Sequence, residues 1–401
     1  LIEEGIKRGK QSIVLVPEIS LTPQTLARFE KRFGKRVAVF HSALSEGEKY
    51  DEYRRVARGE VNVIVGTRSA IFAPLKNISY IIMDEEHSDS YKQENSPRYD
   101  TKTVALERCK YHKAKLILGS ATPTLESYAR ALKGVYHLVN LKERVGGRNL
   151  PKVEFVDMNK ALATAKGHFS LELIKRIEET LRRGEQVILL LNRRGYSSVL
   201  SCKNCGYVMK CPNCDISLTY HKTNNMLRCH YCGYATNYPK VCPECKEEAL
   251  RDLGVGTEKI EEEVKSLFGN SKVLRMDVDT TSKKNAHQKI IESFAKGEAN
   301  ILIGTQMVAK GLDFPNVTLV GVLNTDTSLM IPDFRSSEAT FDLLSQVAGR
   351  SGRAKEGLVV FQTYNKDHYA ISCASNHDYL TFYKEEMAIR KMMKYPPYYY
   401  L

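Results

Sequence analysis

The amino-acid sequence predicts an α/β protein with two parallel-sheet lobes and a double zinc-ribbon-like cysteine insertion in the second lobe. The first indication is an internal repeat, because residues 59–67 (GEVNVIVGT) recur as residues 297–305 (GEANILIGT), each after a charged amphipathic helix. The second is the alternation of short β-branched runs with helix-length amphipathic runs, which is typical of parallel sheets with crossover helices. The third is a block of four Cys-x-x-Cys pairs within 44 residues.

The predicted elements follow the repeat. In the first lobe, strands are expected near residues 12–16, 37–40, 61–65, 80–83 and 115–118. In the second lobe, they are expected near residues 187–191, 273–276, 300–303, 317–323 and 358–362. A Gly-Gly pair at 146–147 indicates a flexible connection. The expected domains are the first lobe at 1–145, the second at 146–200 and 253–365, the insertion at 201–252, and the start of a C-terminal domain at 366–401.

The composition is that of an ordinary globular protein with a basic charge balance, which favours a polyanionic partner but also fits a merely basic surface. Of the 401 residues, 42% are hydrophobic and 27% are charged, and the formal net charge is +13. Two zinc ions held by eight thiolates would lower this charge to about +9, which still favours a partner such as nucleic acid. The sequence shows no signal peptide and no apolar stretch of membrane-spanning length, which argues against a secreted disulfide scaffold.

Eight of the ten cysteines form the expected zinc ligands, Cys202, Cys205, Cys211, Cys214, Cys229, Cys232, Cys242 and Cys245. Only five residues separate the first two pairs, whereas about 15 to 20 separate the two halves of a usual zinc ribbon. The two inner pairs are fourteen residues apart and therefore predict one tetrahedral site, with the two outer pairs closing a second site around it. Cys109 and Cys373 stand alone and are expected to be small buried side chains.

Acidic and hydroxyl residues follow two predicted strands of the first lobe. Residues 84–87 (DEEH) come directly after an apolar run, at the carboxyl end of a parallel strand, where α/β sheets bind ligands. One acid there can hold Mg²⁺ through water, and the next can polarise the water that attacks a γ-phosphate. An acidic surface turn is the alternative. Residues 119–123 (GSATP) end the next strand, and their hydroxyls can link the acidic residues to a second ligand or simply begin a helix.

Other loops suit phosphates and bases. Residues 66–69 (GTRS) and 304–314 (GTQMVAKGLDF) can grip nucleic-acid phosphates through backbone amides and hydroxyls. Residues 91–99 (YKQENSPRY) interleave rings with cations, which suits base stacking, although a plain tyrosine-containing loop explains them almost as well. Residues 346–353 (QVAGRSGR) place two arginines three apart, and arginine binds two phosphate oxygens at once and can stabilise phosphoryl-transfer charge.

Taken in this order, the motifs resemble those of superfamily 2 helicases. Together with residues 16–25 (VPEISLTPQT), residues 192–195 (NRRG) and the cysteine block, they are similar to the bacterial replication-restart helicases of the primosomal protein N′ (PriA) family. The resemblance covers essentially the whole chain. It implies two RecA-like lobes of P-loop NTPase type, ATP with Mg²⁺, two structural zinc ions, and 3′→5′ unwinding of DNA at stalled forks. It also implies primosome proteins and single-stranded DNA-binding protein as partners, and a location at the nucleoid in the bacterial cytoplasm without a membrane.

The resemblance implies that Asp84 coordinates Mg²⁺, that Glu85 activates water, and that the two arginines contact the nucleotide phosphates. The mechanistic hypothesis is that ATP joins the lobes, with the acids facing the arginines. The expected catalytic residues are Asp84, Glu85, Glu86, His87, Arg350 and Arg353. The expected nucleotide-binding residues are Gly119, Ser120, Thr122, Gly311, Asp313, Gln346 and Gly349. The expected DNA-binding residues are Pro17, Thr22, Thr67, Arg68, Tyr91, Lys92, Arg98, Tyr99, Arg193, Arg194, Thr305, Gln306 and Lys310.

One departure from the family pattern concerns the phosphate-binding loop. The sequence contains no Gly-Lys-Thr loop, which by position would lie just before Leu1. We therefore expect this chain alone neither to hydrolyse ATP nor to unwind DNA. Two alternatives stay open at this point, an RNA helicase or duplex translocase of the same superfamily, and a zinc-ribbon scaffold with an inactive ATPase that recruits partners.

Overall fold

The structure, a computed structural model, describes residues 1–17, 23–42, 44–141, 150–192, 198–202, 204–213, 217–221, 225–229, 232–252, 256–269, 271–281, 286–309, 314–331, 333–351 and 355–399. The chain divides into two compact units, Leu1–Asn140 and Leu141–Leu401. Among the helices in the described ranges, none combines the length and hydropathy of a bilayer-spanning segment.

The first unit is built on a five-stranded parallel sheet with strand order β2-β3-β1-β4-β7. Its strands are β1 (Gln11–Leu15), β2 (Val37–Phe40), β3 (Val63–Gly66), β4 (Ile78–Met83), the hairpin β5 (Lys92–Gln93) and β6 (Tyr99–Asp100), and β7 (Lys115–Leu118). Its helices are α1 (Ile2–Lys7), α2 (Pro23–Phe33), α3 (Glu46–Ala57), α4 (Thr101–His112) and α5 (Leu125–Leu132). The central strands are buried on both faces, as their apolar runs require. All five predicted strands are confirmed.

The second unit has a six-stranded parallel sheet with strand order β15-β16-β9-β17-β18-β8. Its sheet strands are β8 (Lys152–Asp157), β9 (Gln186–Leu190), β15 (Val273–Met276), β16 (Ile301–Gly304), β17 (Val317–Val322) and β18 (Leu358–Thr363). Its helices are α6 (Met158–Ala161), α7 (Leu171–Arg182), α8 (Thr257–Leu267), α9 (Val278–Thr281), α10 (Ala286–Ala295), α11 (Gln306–Ala309), α12 (Ser336–Ala348), α13 (Tyr369–Ser375) and α14 (Tyr379–Met392). The five predicted strands are confirmed, and β8 is an edge strand that the sequence did not reveal because its residues are mostly half-exposed.

The internal repeat corresponds to a repeated structure. The order β2-β3-β1-β4-β7 of the first sheet matches the order β15-β16-β9-β17-β18 of the second. The repeated glycines, Gly66 and Gly304, end equivalent strands in a close approach to the neighbouring strand. An added Cβ at Gly304 would lie 2.6 Å from the carbonyl oxygen of Met276, and one at Gly66 would meet that of Phe40 in the same way. The glycine is needed twice for the same packing reason.

The cysteine insertion forms a separate antiparallel sheet within the second unit. Its strands are β10 (Ser198–Cys202), β11 (Thr219–His221), β12 (Met226–Arg228), β13 (Ala235–Asn237) and β14 (Leu250–Asp252), in the order β13-β12-β11-β10-β14. Its small core includes Leu200, Leu218 and Leu227, all almost fully buried. Such a core is too small to stabilise a domain of this size alone, so the insertion needs a further stabilising element such as bound metal.

Candidate nucleotide, nucleic-acid and zinc sites

The acidic residues lie in a tight turn at the carboxyl end of β4, as predicted. The Asp84 N–H donates to the Leu15 carbonyl at 2.9 Å, which extends the pairing of β4 with β1. Glu85 takes a left-handed backbone conformation with φ of 47°, and the Ser88 N–H donates to its carbonyl at 2.8 Å. This conformation costs a non-glycine residue about 1–2 kcal/mol, and such strain concentrates at functional sites. Hydrogen bonds on both sides of Glu85 therefore fix its backbone at the end of the sheet, and with it the direction in which its side chain points.

Asp84 is the accessible acid of this turn. The residue as a whole is exposed, yet nearby protein removes enough solvent from its carboxyl to raise its pKa above the ordinary value. A hydrogen bond from the Glu85 N–H, 3.1 Å from the Asp84 carboxylate, opposes that rise. An accessible aspartate at the end of a parallel strand fits a magnesium ligand that acts directly or through water.

Glu86 is buried and occupies a different kind of position. Its side chain is 1% exposed, and its carboxylate accepts hydrogen bonds from Lys102 Nζ at 2.8 Å, the Thr124 N–H at 2.8 Å and the Ser127 hydroxyl at 3.1 Å. Burial alone would raise the pKa of Glu86, but the charge and hydrogen bond of Lys102 and the other donors hold it below its ordinary value. The predicted catalytic role of Glu86 stays a prediction, and its enclosure by these donors favours a positioning role.

His87 and Ser120 join the acidic turn to the residues that follow β7. The His87 Nδ1 lies 2.7 Å from the Ser120 hydroxyl, and the histidine side chain is 4% exposed. The Glu86 N–H also donates to the Gly119 carbonyl at 3.0 Å. Thr122 is buried, and within the described part of the chain its hydroxyl has no hydrogen-bond partner, which leaves it available to a ligand or water. The predicted link between the two motifs is present, and the ligand it serves stays a prediction.

The predicted DNA-contacting side chains of the first unit divide into buried and accessible ones. Tyr91 is 3% exposed, and its hydroxyl donates to the Asp84 carbonyl at 2.7 Å, so it cannot stack on a base. Burial, with the neighbouring carboxylates, raises its pKa. The side chains of Pro17 and Thr67 are buried as well, so a contact there would use backbone atoms.

The β5–β6 hairpin carries the accessible members of this set. Lys92 and Arg98 are exposed, and Tyr99 is half-buried. Arg68 donates from Nη1 to the Lys92 carbonyl at 2.6 Å and to the Ser90 carbonyl at 3.3 Å. Its guanidinium carbon lies 6.0 Å from the centre of the Tyr99 ring. Arg68 therefore fixes the hairpin, and its own DNA contact stays a prediction, as do those of Lys92, Arg98 and Tyr99.

The predicted residues of the second unit lie at strand and helix ends. Thr305 and Gln306 follow β16 and begin α11, and both are half-buried. Gln346 and Gly349 lie at the C-terminal end of α12, and Arg350 follows directly, with its N–H 3.0 Å from the Val347 carbonyl. Their roles stay predictions. Thr22, Arg193, Arg194, Cys214, Lys310, Gly311, Asp313 and Arg353 lie outside the described residues.

Four of the cysteines form the predicted outer zinc site. The sulfur atoms of Cys202, Cys205, Cys242 and Cys245 all lie within 4.8 Å of one another. The Cys202–Cys245 and Cys205–Cys242 sulfur distances are 3.5 and 3.7 Å. A tetrahedron with Zn–S bonds of about 2.3 Å has sulfur–sulfur edges of about 3.8 Å, so the donor set fits zinc. The nested pairing argued from loop lengths is confirmed for this site.

The cysteines of the predicted inner zinc site also lie close together. The sulfur atoms of Cys211, Cys229 and Cys232 lie within 4.8 Å of one another, with 3.5 Å between Cys211 and Cys232. Cys214, the expected fourth ligand, is outside the described residues. Cys109 and Cys373 are buried and away from both sites, as expected.

Three of the Cys-x-x-Cys turns share one backbone geometry. In each, the N–H four residues after the first cysteine donates to the carbonyl of that cysteine at 3.0 Å, the donors being Gly206, Gly233 and Lys246. All three have positive φ, of 73°, 78° and 62°. Two of the turns thus place glycine where the left-handed conformation is required, and the third places a lysine there at a cost in free energy. The common turn directs both thiolates of a pair to one side, where a metal can bind them.

Comparison with protein families identifies three segments. Residues 1–131 match the DEAD/DEAH box helicase family, residues 211–236 match the PriA DNA helicase Cys-rich region (CRR) domain, and residues 253–355 match the helicase conserved C-terminal domain. Two curated relatives are the replication restart protein PriA of Bacillus subtilis (strain 168), 58% identical over 402 residues, and that of Synechocystis sp., 46% identical over 406 residues. The alignments cover 100% and 98% of this chain. The chain belongs to the PriA family.

This chain spans about half the length of the curated relatives it matches, 50% of the B. subtilis protein and 49% of the Synechocystis one. Among solved structures, S. cerevisiae Dbp5 bound to RNA and ADP BeF3 is similar in fold, with a TM-score of 0.51 at 15% identity. That match covers 96% of this chain and 81% of Dbp5. At this identity the likeness shows the two-lobed helicase fold and nothing about the nucleic acid bound.

No sequence motif indicated Lys102, although this residue contacts the acidic turn. It lies in the first turn of α4, just after the β5–β6 hairpin, and its Nζ reaches Glu86, Ser127 and Thr124 at 2.8, 2.8 and 3.3 Å. A lysine near the start of a helix resembles any surface cation in sequence. The role of Lys102 as the partner of a buried carboxylate becomes visible only in the tertiary structure, where Glu86 is buried.

Proposed function

We propose that the protein containing this chain is an ATP-driven DNA helicase that moves 3′→5′, remodels stalled replication forks and helps to reload the replicative helicase. The observation that carries the proposal is the two-site cysteine module within the second of two duplicated α/β units. Helicase motifs alone are compatible with many translocases, whereas this insertion matches a domain named for the PriA DNA helicase. The relatives are named replication restart proteins, which supports replication restart as the process in which the helicase acts.

The acidic turn supplies the proposed chemistry of ATP hydrolysis. Bound Mg²⁺ would neutralise phosphate charge and orient the terminal phosphate. Asp84 has the accessible carboxylate that would hold the ion. Glu85, fixed by the strained turn, would orient the attacking water and accept its proton. Glu86 and His87 act on this pair indirectly, because they tie the turn to the residues after β7.

The zinc module has a structural role in this proposal. The two cysteine clusters would each hold a zinc ion, which would cross-link strand ends and turns whose shared apolar core is small. The cross-linked module would present a rigid surface. The remainder of the protein, DNA, primosome proteins or single-stranded DNA-binding protein can contact that surface. The place of action is the nucleoid in the bacterial cytoplasm.

We further propose that this 401-residue chain on its own does not turn over ATP. Its sequence has no Gly-Lys-Thr loop to cradle the β- and γ-phosphates. Without that lysine, the acidic turn has a metal ligand and a base but no grip on the nucleotide. DNA-stimulated ATP hydrolysis by the purified chain would contradict this proposal.

The assigned roles can be tested in the full-length protein. Glu85→Gln should retain ATP binding and lose DNA-stimulated turnover by about 100-fold or more, since general-base catalysis contributes about 10²–10⁴. Glu60→Gln, which alters an exposed acid of the same unit, is the matched control and should hydrolyse ATP at the wild-type rate. Normal turnover by Glu85→Gln would remove Glu85 from the mechanism.

A further inference from the structure

Phe72 is an exposed aromatic side chain beside the β5–β6 hairpin. It ends the 3₁₀ turn Arg68–Phe72 that follows β3, and 54% of its surface is exposed, while Ile71 and Ala73 on either side are buried. Single exposed apolar residues are common on protein surfaces and need no explanation by themselves. The surroundings of this ring are what distinguish it.

The backbone on both sides of Phe72 is held in place by one guanidinium group. Arg108 of α4 donates from Nη1 to the carbonyl of Ile71 and to that of Ala73, the latter at 3.0 Å. Arg108 is itself half-buried, and burial lowers its pKa. A partly buried cation therefore fixes the two peptide groups that flank the exposed ring. The exposed Phe72 ring is therefore attached to a well-fixed stretch of backbone and not to a loosely held loop.

A second ring continues this surface. The Phe72 and Tyr99 ring centres are 5.0 Å apart with an interplanar angle of 79°, so the edge of one ring packs on the face of the other. Tyr99 in turn lies beside the guanidinium group of Arg68. The hairpin that carries Tyr99 also carries the exposed cations Lys92 and Arg98. An accessible aromatic face thus adjoins groups that can attract a phosphate backbone.

We propose that Phe72 is a stacking platform for a base of single-stranded DNA. The inference rests on the helicase function proposed above and adds to it a subsite that works by stacking. Every base has a π-face, so such a platform binds without reading sequence, which suits a translocating enzyme. The ring is pre-organised by Arg108, so little conformational entropy is lost when a base stacks on it. Phosphates contacted by the hairpin cations hold the strand alongside.

The test uses the full-length protein and fluorescein-labelled oligo(dT) in an anisotropy titration at several salt concentrations. Phe72→Ala should weaken binding about tenfold or more, in line with loss of one base–aromatic stack, and Phe72→Trp should bind at least as tightly as wild type. The slope of log Kd against log salt should be the same for wild type and Phe72→Ala, because no phosphate contact is lost. The matched control is Tyr111→Ala, which removes an aromatic side chain 84% exposed on α4 and should bind like wild type.

Other outcomes separate the possible failures. Equal affinities for wild type, Phe72→Ala and Tyr111→Ala would overturn the stacking inference while leaving the helicase proposal intact. Retained affinity in Phe72→Leu would also overturn it, because leucine keeps apolar contact but cannot stack on a base. Failure of the wild-type protein itself to bind oligo(dT) would contradict the proposed function. A lowered unfolding midpoint in Phe72→Ala, absent in Tyr111→Ala, would assign the ring a structural role instead.

Discussion

Replacing Lys102 with methionine should destabilise the first unit strongly, because it leaves a buried carboxylate without its cation. The Glu86 side chain is 1% exposed and that of Lys102 is 21% exposed, with 2.8 Å between Nζ and the carboxylate. Removing one partner of a buried ion pair costs about 3–5 kcal/mol. The partial exposure of Lys102 favours the lower end, about 3 kcal/mol. For a unit of this size, that corresponds to a fall of roughly 10 °C in the unfolding midpoint.

The assay is thermal unfolding of four variants followed by circular dichroism. Lys110→Met is the matched control, because Lys110 pairs with Glu107 on the same helix at 2.6 Å but with side chains 72% and 66% exposed. An exposed pair contributes about 0–1 kcal/mol, so the control should unfold near the wild-type midpoint. The double variant Glu86→Gln/Lys102→Met removes both charges and should recover most of the loss, whereas Glu86→Gln alone should be less stable than the double variant. A Lys102→Met midpoint within 2 °C of the control would show that Lys102 does not stabilise the buried Glu86 carboxylate.

The stability difference between wild type and Lys102→Met should change with pH in a definite direction, which provides an independent check. The folded state holds the pKa of Glu86 below its ordinary value, so the wild-type contribution is present above pH of about 4.3 and is lost as pH falls through the folded pKa. In Lys102→Met the cation no longer opposes burial, so the pKa of Glu86 should rise above its ordinary value. The folded variant then gains stability on protonation. The difference between wild type and variant should therefore shrink as pH falls from 7.5 towards 5, and a constant or growing difference would contradict this account.

Three further predictions concern the zinc turns and the repeated glycine. Cys202→Ser and Cys245→Ser should each lose the same zinc ion, so that the double variant still binds one ion by elemental analysis; loss of both ions in the double variant would refute the nested pairing. Lys246→Gly should stabilise the zinc module by about 1 kcal/mol, because its φ of 62° is strained for lysine; an unchanged or lower denaturation midpoint would show that the lysine side chain compensates. Gly66→Ala should destabilise the first unit by about 1–3 kcal/mol through overpacking. The control Gly47→Ala, in open space on α3, should slightly stabilise the unit. Equal thermal midpoints for the two variants would show that the close approach at Gly66 does not require glycine.

The sequence was sufficient for features that repeat or that depend on spacing along the chain. The duplicated GEVNVIVGT segment led to two sheets with the same strand order, since the same apolar run must be buried in both. Loop lengths were enough to pair Cys202 with Cys245 in one site and Cys211 with Cys232 in the other, because five residues are too few to bring the first two pairs to one metal.

The sequence was insufficient where the role of a side chain depends on what packs above it. Tyr91 lies in a run that mixes rings and cations, and that run looks the same whether the ring faces solvent or, as here, donates to the Asp84 carbonyl. Glu86 stands beside Glu85 in an acidic run, yet one is enclosed and the other is held in a strained turn. Lys102 carries no local signal at all. Burial and hydrogen bonding from elements distant in the chain decide these cases.

We propose that the protein containing this chain is a DNA helicase that moves 3′→5′, and the polarity can be tested directly. The most direct measurement is ATP-dependent strand displacement by the full-length protein on two otherwise identical duplexes, one with a 3′ single-stranded DNA tail and one with a 5′ tail. We expect displacement on the 3′-tailed DNA and loss of that activity in Glu85→Gln. Displacement only on the 5′-tailed DNA, displacement only when the tail is RNA, or no strand separation in the presence of ATP would contradict it.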